Sequence, residues 1–576
     1  VISRRAGFAL GGALYLLGGL GMFIRVLLLS PTRATTCPCS DSSLFAWYFE
    51  WLWVAIRHGM NPFFSTAVFH PMGTNLLANT SSMALGAVLL PITAIFGPIA
   101  SVNVALVAAP FLSGLAAMWV ATRWTSSLSI AWLVGALYAF SPAVLAEAAG
   151  AHLMLTFLAI PPLILACFDE LLVRRRRSPV KVGLVLAALI IVQFFIGTEM
   201  LVLVAMVAVG SLIVLGIGAF VLDREGLVDA VRFALPGLVV AAGVSLLVLI
   251  GPALYALVGP QHYVGPIWAQ TPAASNSLRS IVIPVHTKVH WWDPTAYRVA
   301  RSTLLGPGLI IVLVAGSIIW RKDRRLLAAS TITAVVLGLG LGDAYAFAPW
   351  HYLRHLPLLV NVFNDRFGTL LLLPAGLVLA RVLDHTRARI ADRRLGQLAT
   401  GAIAVLCVAP FLPSLQTLPY SAHRLFQPLW YQRNGSTTAR GQVILQMGDT
   451  GGESNLSDQA LHQMAYSITG GGPPQSFHPA QPAVVRPGAA LLTELSTSAG
   501  EATLNSHATP AQAAAVRAAL EGWRVTLVVL TTDVAPLNPT SVGAPYVEAR
   551  WLISVLGPAT WQDGAWVWHV TPRPTR

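Results

Sequence analysis

The chain has 576 residues, of which 55% are hydrophobic and only 11% charged, and it carries a formal net charge of +13. Soluble domains carry about 25% charged residues, so this chain cannot clothe three or four water-facing domains, and its apolar content excludes disorder. The bases gather in short runs between apolar stretches, not on a face interleaved with aromatics; that is the pattern of a polytopic membrane protein with its basic loops inside, and it excludes nucleic acid as a partner.

A helix needs about 20 apolar residues to cross a bilayer. In chain order that rule predicts spans near 7–29, 100–122, 128–146, 153–172, 181–197, 200–222, 233–257, 303–320, 326–341, 367–383 and 397–414. The stretch 80–97 is short, holds Pro91 and ends Gly97-Pro98. Counted as a crossing, it would put the run Arg174 to Arg177 on the opposite side from Arg4 and Arg5, against the positive-inside rule. It therefore reads as a re-entrant or interfacial helix, which leaves eleven spans. A misread span between 100 and 146 is the alternative. No small-residue cleavage site follows the first span, so it reads as a retained helix.

With eleven crossings, the segments 30–99, 147–152, 198–199, 258–302 and 342–366 face outward, as does the tail from about 415. The first outer loop is loaded with Trp, Tyr and Phe, and Leu44, Trp47, Trp51, Val54 and Ala55 recur at helical spacing. This predicts a helix lying in the headgroup layer. After residue 415 the periodicity changes. VILQM (443–447) reads as a strand and SDQALHQMAY (457–466) as a helix; 508–533 reads as a helix running into a strand, 545–557 as a helix and 564–570 as a closing strand. The Gly/Pro-rich stretch 469–488 reads as loop. The predicted architecture is a transmembrane module over 1–414, with outer loops 30–99 and 258–302, followed by an extracytoplasmic α/β domain over 415–576.

The chemistry-bearing groups collect on the outer side. Asp41 is the sole acid in the first 49 residues. A carboxylate just outside the first span suits a general base acting on an acceptor hydroxyl; it also suits the start of the aromatic helix, and the two roles are compatible. Glu147 and His152 lie between two spans, and Glu199 opens another; ionisable groups so close to hydrocarbon are paired, functional, or turned to headgroup water. The loop 261–301 holds His262, Arg279, His286, Lys288, His290, Trp291, Trp292 and Asp293. Its bases are candidates for holding a phosphate. The alternating histidines lack the three or four convergent ligands of a zinc site. Arg366, in NDRF, either pairs locally with Asp365 or meets an anionic group. Cys167 and Cys407 read as packed residues; a disulfide across Cys37-Pro38-Cys39 reads as strained. No P-loop, dinucleotide fingerprint, nucleophile elbow or HExxH motif occurs.

Asp41 with the aromatic helix after it, NPFFSTAVFHPMGTN (61–75), FSPAVLAEAAGAH (140–152) and PLLVNVFNDRF (357–367), in that order, resemble the glycosyltransferase C superfamily over roughly residues 1–414. The tail, with RAALEGWRVTLVVL and PATWQDGAWVWHV, resembles the soluble ends of bacterial members. The resemblance implies a polytopic transferase that takes its sugar from a polyprenyl-phosphate donor on the outer face, with Asp41 as base and inversion in a single displacement. Glu147 falls roughly where relatives carry a second acid. The expected phosphate contacts are Arg279, Lys288, Arg366 and His262. The expected acceptor or sugar contacts are Glu50, His152, Glu199, Trp291 and Trp292. Relatives often carry a DxD-like pair; here Glu50 lies nine residues after Asp41 and no DxD follows, which leaves a divalent metal open and no metal ligand assigned. The expected partners are the lipid bilayer, the lipid-linked sugar and a glycan acceptor. A flippase of lipid-linked glycans and a non-catalytic envelope scaffold are the rival readings; the first needs ionisable groups deep in the spans, which are nearly free of charge at their centres.

Overall fold

A computed structural model describes residues 3–37, 40–78, 80–262, 276–283, 286–288, 297–299, 303–357, 359–448, 454–470, 483–496, 507–532 and 545–570. The helices in chain order are α1 (Arg4–Leu29), α2 (Ser40–Arg57), α3 (Met83–Val88), α4 (Leu90–Phe96), α5 (Pro98–Ala121), α6 (Leu128–Ala139), α7 (Pro142–Ala149), α8 (Leu153–Thr156), α9 (Ile160–Phe168), α10 (Pro179–Ile196), α11 (Thr198–Leu222) and α12 (Arg224–Val258). They continue with α13 (Leu278–Val282), α14 (Gly306–Ile319), α15 (Arg324–Gly340), α16 (Pro349–Leu353), α17 (Gly368–Arg389), α18 (Arg393–Val408), α19 (Leu429–Asn434), α20 (Ser454–Leu461), α21 (Arg486–Leu495), α22 (Pro510–Gly522) and α23 (Pro545–Leu556).

All eleven predicted membrane segments are helical. Among the described residues, seven helices are long and apolar enough to cross a membrane: α1, α5, α10, α11, α12, α17 with the turn before it, and α18 with the turn after it. The pair α6 and α7, bent by 44° at Ser141-Pro142, is an eighth if counted as one span. The others are shorter or interrupted: 153–172 breaks between α8 and α9, and α14 and α15 have 14 and 17 residues. The exposed Ile213, Ile217, Leu246 and Leu247 of α11 and α12 form the apolar surface that lipid requires.

The chain divides into two compact units. The first comprises residues 1–27, 104–252 and 268–421; the second comprises 28–103, 253–267 and 422–576. Composition places a single boundary near 414; contacts put one at 421/422 and group the first outer loop with the C-terminal segment.

Within the first unit, small residues set the helix directions. Gly11 packs on Met118, Gly12 on Leu115 and Gly19 on the Val107 carbonyl, so α5 runs antiparallel to α1. The Tyr15 ring lies over Gly114, and its hydroxyl donates to the Trp132 carbonyl (2.6 Å). The chain therefore enters α5 at the end where it leaves α1. The two short helices α3 and α4, of six and seven residues, do not span between them.

The loops between these helices then sort to two ends. At the basic end Arg123 donates to Asp169 (2.9 Å) and Glu170 (2.7 Å), and Arg174 donates to Asp169 (2.8 Å). Arg325 caps the Arg123 carbonyl, and Asp323 accepts from Arg381 (2.7 Å) beside the His385 ring (2.8 Å). Thr125 donates to Asp384 (2.9 Å). Partnering of this kind is what charge at the edge of hydrocarbon needs. At the opposite end, Asn276 and Asn364 both donate to the Gly340 carbonyl, and the Leu305 amide donates to Ile281. The segments predicted to share a side meet one another.

In the second unit, α2 is buried on nearly every face. Phe49 and Leu52 pack on Gly86 of α3; Trp47 stacks on Trp51 and donates to the Gln459 amide oxygen of α20 (2.6 Å). The rings predicted to lie among headgroups are core residues here; aromatic content alone does not separate the two settings. Asn75 fixes the end of α12 by donating to the Tyr255 and Pro260 carbonyls. Cys37 is disulfide-bonded, and Cys39 lies outside the described residues.

The C-terminal part is the α/β fold that the sequence predicts. Its strands β1 (Val443–Met447), β2 (Ser467–Ile468), β3 (Leu527–Thr531), β4 (Thr560–Gln562) and β5 (Ala565–His569) form one sheet in the order β4-β5-β3-β1-β2. The pairs β1–β2 and β1–β3 are parallel; β3–β5 and β5–β4 are antiparallel. Val516, Leu520, Trp551 and Leu552 cover Val528, Leu530 and Trp568 on one face. A capping box of Thr509 and Gln512 starts α22. Asp563 and Gly564, both at positive φ (49° and 79°), make the two-residue turn between β4 and β5.

Candidate functional site

Asp41 lies half-buried in the first turn of α2, where the helix dipole favours a carboxylate. The turn leading to it is held by Thr35 and Ser42, whose hydroxyls both donate to the Cys37 carbonyl (2.6 and 3.1 Å). Glu50 lies on the same helix, but nine residues on it is only 2% exposed. One of its oxygens has no hydrogen-bond partner, and burial pushes its carboxyl up to about 7. His262, also in the second unit, is exposed, its Nδ1 on the Gly259 carbonyl (2.9 Å).

The first unit brings four of the remaining candidates together in two pairs. Ser141 caps α7 and Pro142 starts it; the helix ends at Gly150, and Ala151 takes a left-handed conformation (φ 55°) that returns the chain. His152 then lies with its ring against the Cα of Gly150, where a Cβ would stand 3.0 Å from Cε1. In that position its Nδ1 meets the Oε2 of Glu147, a carboxylate whose side chain is 1% exposed. A buried carboxylate on Nδ1 fixes the orientation of the imidazole.

The second pair joins residues 167 apart in sequence. Arg366 donates from Nη1 to Oε2 of Glu199, the first-turn acid of α11, and both side chains are 13% exposed. The guanidinium carbon sits 4.5 Å over the Phe363 ring, and the Phe363 amide donates to the other Glu199 oxygen (3.3 Å). Arg366 thus pairs with a distant glutamate, a partner that no local pattern in the sequence suggested.

Arg279 is exposed on the short helix α13. Lys288 lies on a strand, His286–Lys288, paired with Tyr297–Val299; its side chain, with Trp291 and Trp292, lies outside the described residues. Sequence reasoning missed Asp343, which binds His351 (2.7 Å) and Arg354 (2.6 Å) at the same end of the unit. An acid followed eight and eleven residues later by bases in one outer segment was the available sign. Among the described residues no group of three or more His, Cys, Asp or Glu converges as metal ligands.

No protein-family model and no curated protein matches the chain. Solved structures do. The arabinofuranosyltransferase AftD from Mycobacteria superposes over 100% of this chain with a TM-score of 0.56 at 14% identity. The chain spans 42% of AftD's length. The Archaeoglobus fulgidus oligosaccharyltransferase matches over 91% of this chain and 69% of its own, with a TM-score of 0.45 and 13% identity. A structure of that protein with an inhibitory peptide and a dolichol-phosphate aligns at 0.42. With its apolar helix bundle and its whole length laid on AftD, the chain has the glycosyltransferase C fold.

Proposed function

We propose that this protein is a membrane glycosyltransferase of the outer face of the bacterial cytoplasmic membrane. It moves a sugar from a polyprenyl-phosphate donor to a glycan or lipid-glycan acceptor. The observation that carries the reading is the half-buried Asp41 in the first turn of the helix following the first span, on a fold that the whole of this chain shares with 42% of an enzyme named as an arabinofuranosyltransferase. The interlocked basic end faces the cytoplasm by the positive-inside rule, and the C-terminal α/β part lies outside. A lipid-borne donor needs no nucleotide site, which agrees with the missing phosphate-loop motifs.

In the reaction Asp41 takes the proton of the acceptor hydroxyl. That oxygen forms a bond to the anomeric carbon while the bond from that carbon to the lipid phosphate oxygen breaks; the electron pair leaves on the phosphate, and the anomeric centre inverts. Arg366, held over Phe363 by Glu199, offers the departing phosphate a preoriented guanidinium. Arg279, Lys288 and His262 are the further bases assigned to it. The Glu147–His152 pair supplies an oriented imidazole for the sugar hydroxyls.

The test is incubation of the purified protein with a panel of polyprenyl-phosphate sugars and envelope glycans, measuring released lipid phosphate. Release that Asp41→Asn abolishes, in a protein that still folds and inserts, is the expected outcome. An Asp41→Asn protein that turns over like wild type removes the base assignment; no release from any donor removes the enzymatic reading.

A further inference from the structure

The edge of the C-terminal sheet carries three aromatic rings that the fold leaves open. Trp561 on the edge strand β4 is 53% exposed, and Tyr546, at the start of α23, is 68% exposed. Both pack against Trp566 of β5: Trp561 at 4.7 Å and 67°, Tyr546 at 5.2 Å and 83° between ring centroids and planes. Trp566 is itself anchored against the hydrophobic core. A cross-strand Trp pair stabilises a hairpin, which accounts for Trp561 facing Trp566. It does not account for a tyrosine brought in from a separate helix to extend the same apolar surface. Exposed aromatic clusters of this kind mark binding sites.

We propose that this ledge binds a neutral oligosaccharide, as the docking point for the acceptor glycan; the assignment rests on the transferase reading above. A sugar ring presents a flat face of C–H groups ringed by hydroxyls. It asks for an exposed aromatic face and, at its rim, planar hydrogen-bonding groups. Both are present. The Trp561–Trp566–Tyr546 corner offers the faces. Gln562, on the opposite face of β4, donates to Asn434 (3.0 Å), and Asp563 in the turn accepts from Arg433 (2.6 Å) and Asn434 (3.0 Å), so the hairpin end that carries the rings is held rigid. Arg550, one helical turn from Tyr546, is exposed as a planar donor. The one acid of the hairpin is neutralised by Arg433, so the hairpin carries no uncompensated charge and suits an uncharged glycan. A membrane-anchoring belt also uses Trp and Tyr. The strand bearing Trp561 has the polar Thr560 and Gln562 beside it, whereas Val547 beside Tyr546 is 38% exposed, so quenching by lipid is the measurement that separates the two.

The experiment measures binding without turnover. Asp41→Asn protein in nanodiscs, without donor, is titrated calorimetrically with linear and branched pentose and hexose oligomers. W561A and Y546A, each made in that background, are titrated alongside, with thermal unfolding as the check on folding. At least one oligomer is expected to bind, and each variant is expected to weaken it by about tenfold, while W561F retains most of the affinity. Equal affinity in all variants, or no binding across the panel, overturns the ledge while leaving the Asp41 chemistry to its own test. Quenching by brominated lipid that is lost in W561F, showing that Trp561 sits in the bilayer, overturns it in favour of a membrane anchor.

Discussion

Replacing Glu50 by glutamine is expected to stabilise the protein at high pH and leave it nearly unchanged at low pH. Glu50 is almost fully buried in α2, and its carboxyl sits at about 7 against an ordinary value of 4.5. The folded state therefore keeps its proton through a window in which the unfolded chain has lost it. Between those two values the native state binds more protons than the unfolded state, so stability falls as pH rises from 4.5 to 7. Below the window both states are protonated and nothing is lost; above it the full penalty applies. At 1.36 kcal/mol per pH unit the penalty is at most roughly 3 kcal/mol. The glutamine keeps the shape and removes the charge. Thermal unfolding in nanodiscs from pH 4 to 8.5 should show wild type and E50Q together at pH ~4 and separated by on the order of 5 °C at pH ~8, with E50Q higher. Parallel curves, or an E50Q protein less stable at pH 8, would refute an uncompensated interior carboxyl.

Four further outcomes rest on packing and pairing. Glu199→Gln removes the carboxylate that holds the Arg366 guanidinium over Phe363, and should raise the donor KM about tenfold with a smaller change in kcat, read from donor titrations. Arg366→Lys should do the same, since an ammonium neither stacks nor forks. Gly150→Ala places a methyl group 3.0 Å from the His152 ring and should swing it off Glu147, lowering transfer about tenfold or more with the thermal midpoint little changed. Gly183→Ala drives a Cβ to within 2.2 Å of the Gly237 carbonyl where α10 crosses α12, and should destabilise the protein by about 1–3 kcal/mol in thermal unfolding.

The predicted helices followed from hydropathy because each is a local property, and the parity argument over Arg174 to Arg177 placed α3 and α4 off the crossing path before any contact was known. The strands β1, β3 and β5 and the helices α22 and α23 were readable from short-range alternation and from Thr509 ahead of Pro510. Helix α21 was not. Its Pro487 and Gly488 look like more of the preceding loop, although proline at a first turn is compatible with a helix start. The setting of α2 was illegible for a different reason: rings that suit headgroups suit a core equally well. At the site, the Glu147–His152 pair spans five residues and was visible as a cluster. The Glu199–Arg366 pair depends on how α11 lies beside the chain entering α17, which no local pattern encodes.

Helix α17 shows what such an arrangement means for the making of the protein. From Gly368 to Leu383 its side chains are buried almost without interruption, whereas those of α11 and α12 are mostly open. A helix walled in by its neighbours never dissolves in lipid in the finished molecule. During synthesis it must pass from the insertion machinery into a groove lined by α6, α14 and α15, all made earlier. Its residues are accordingly answerable to steric fit, and swaps among leucine, isoleucine and valine that α11 absorbs freely should jam assembly when made in α17.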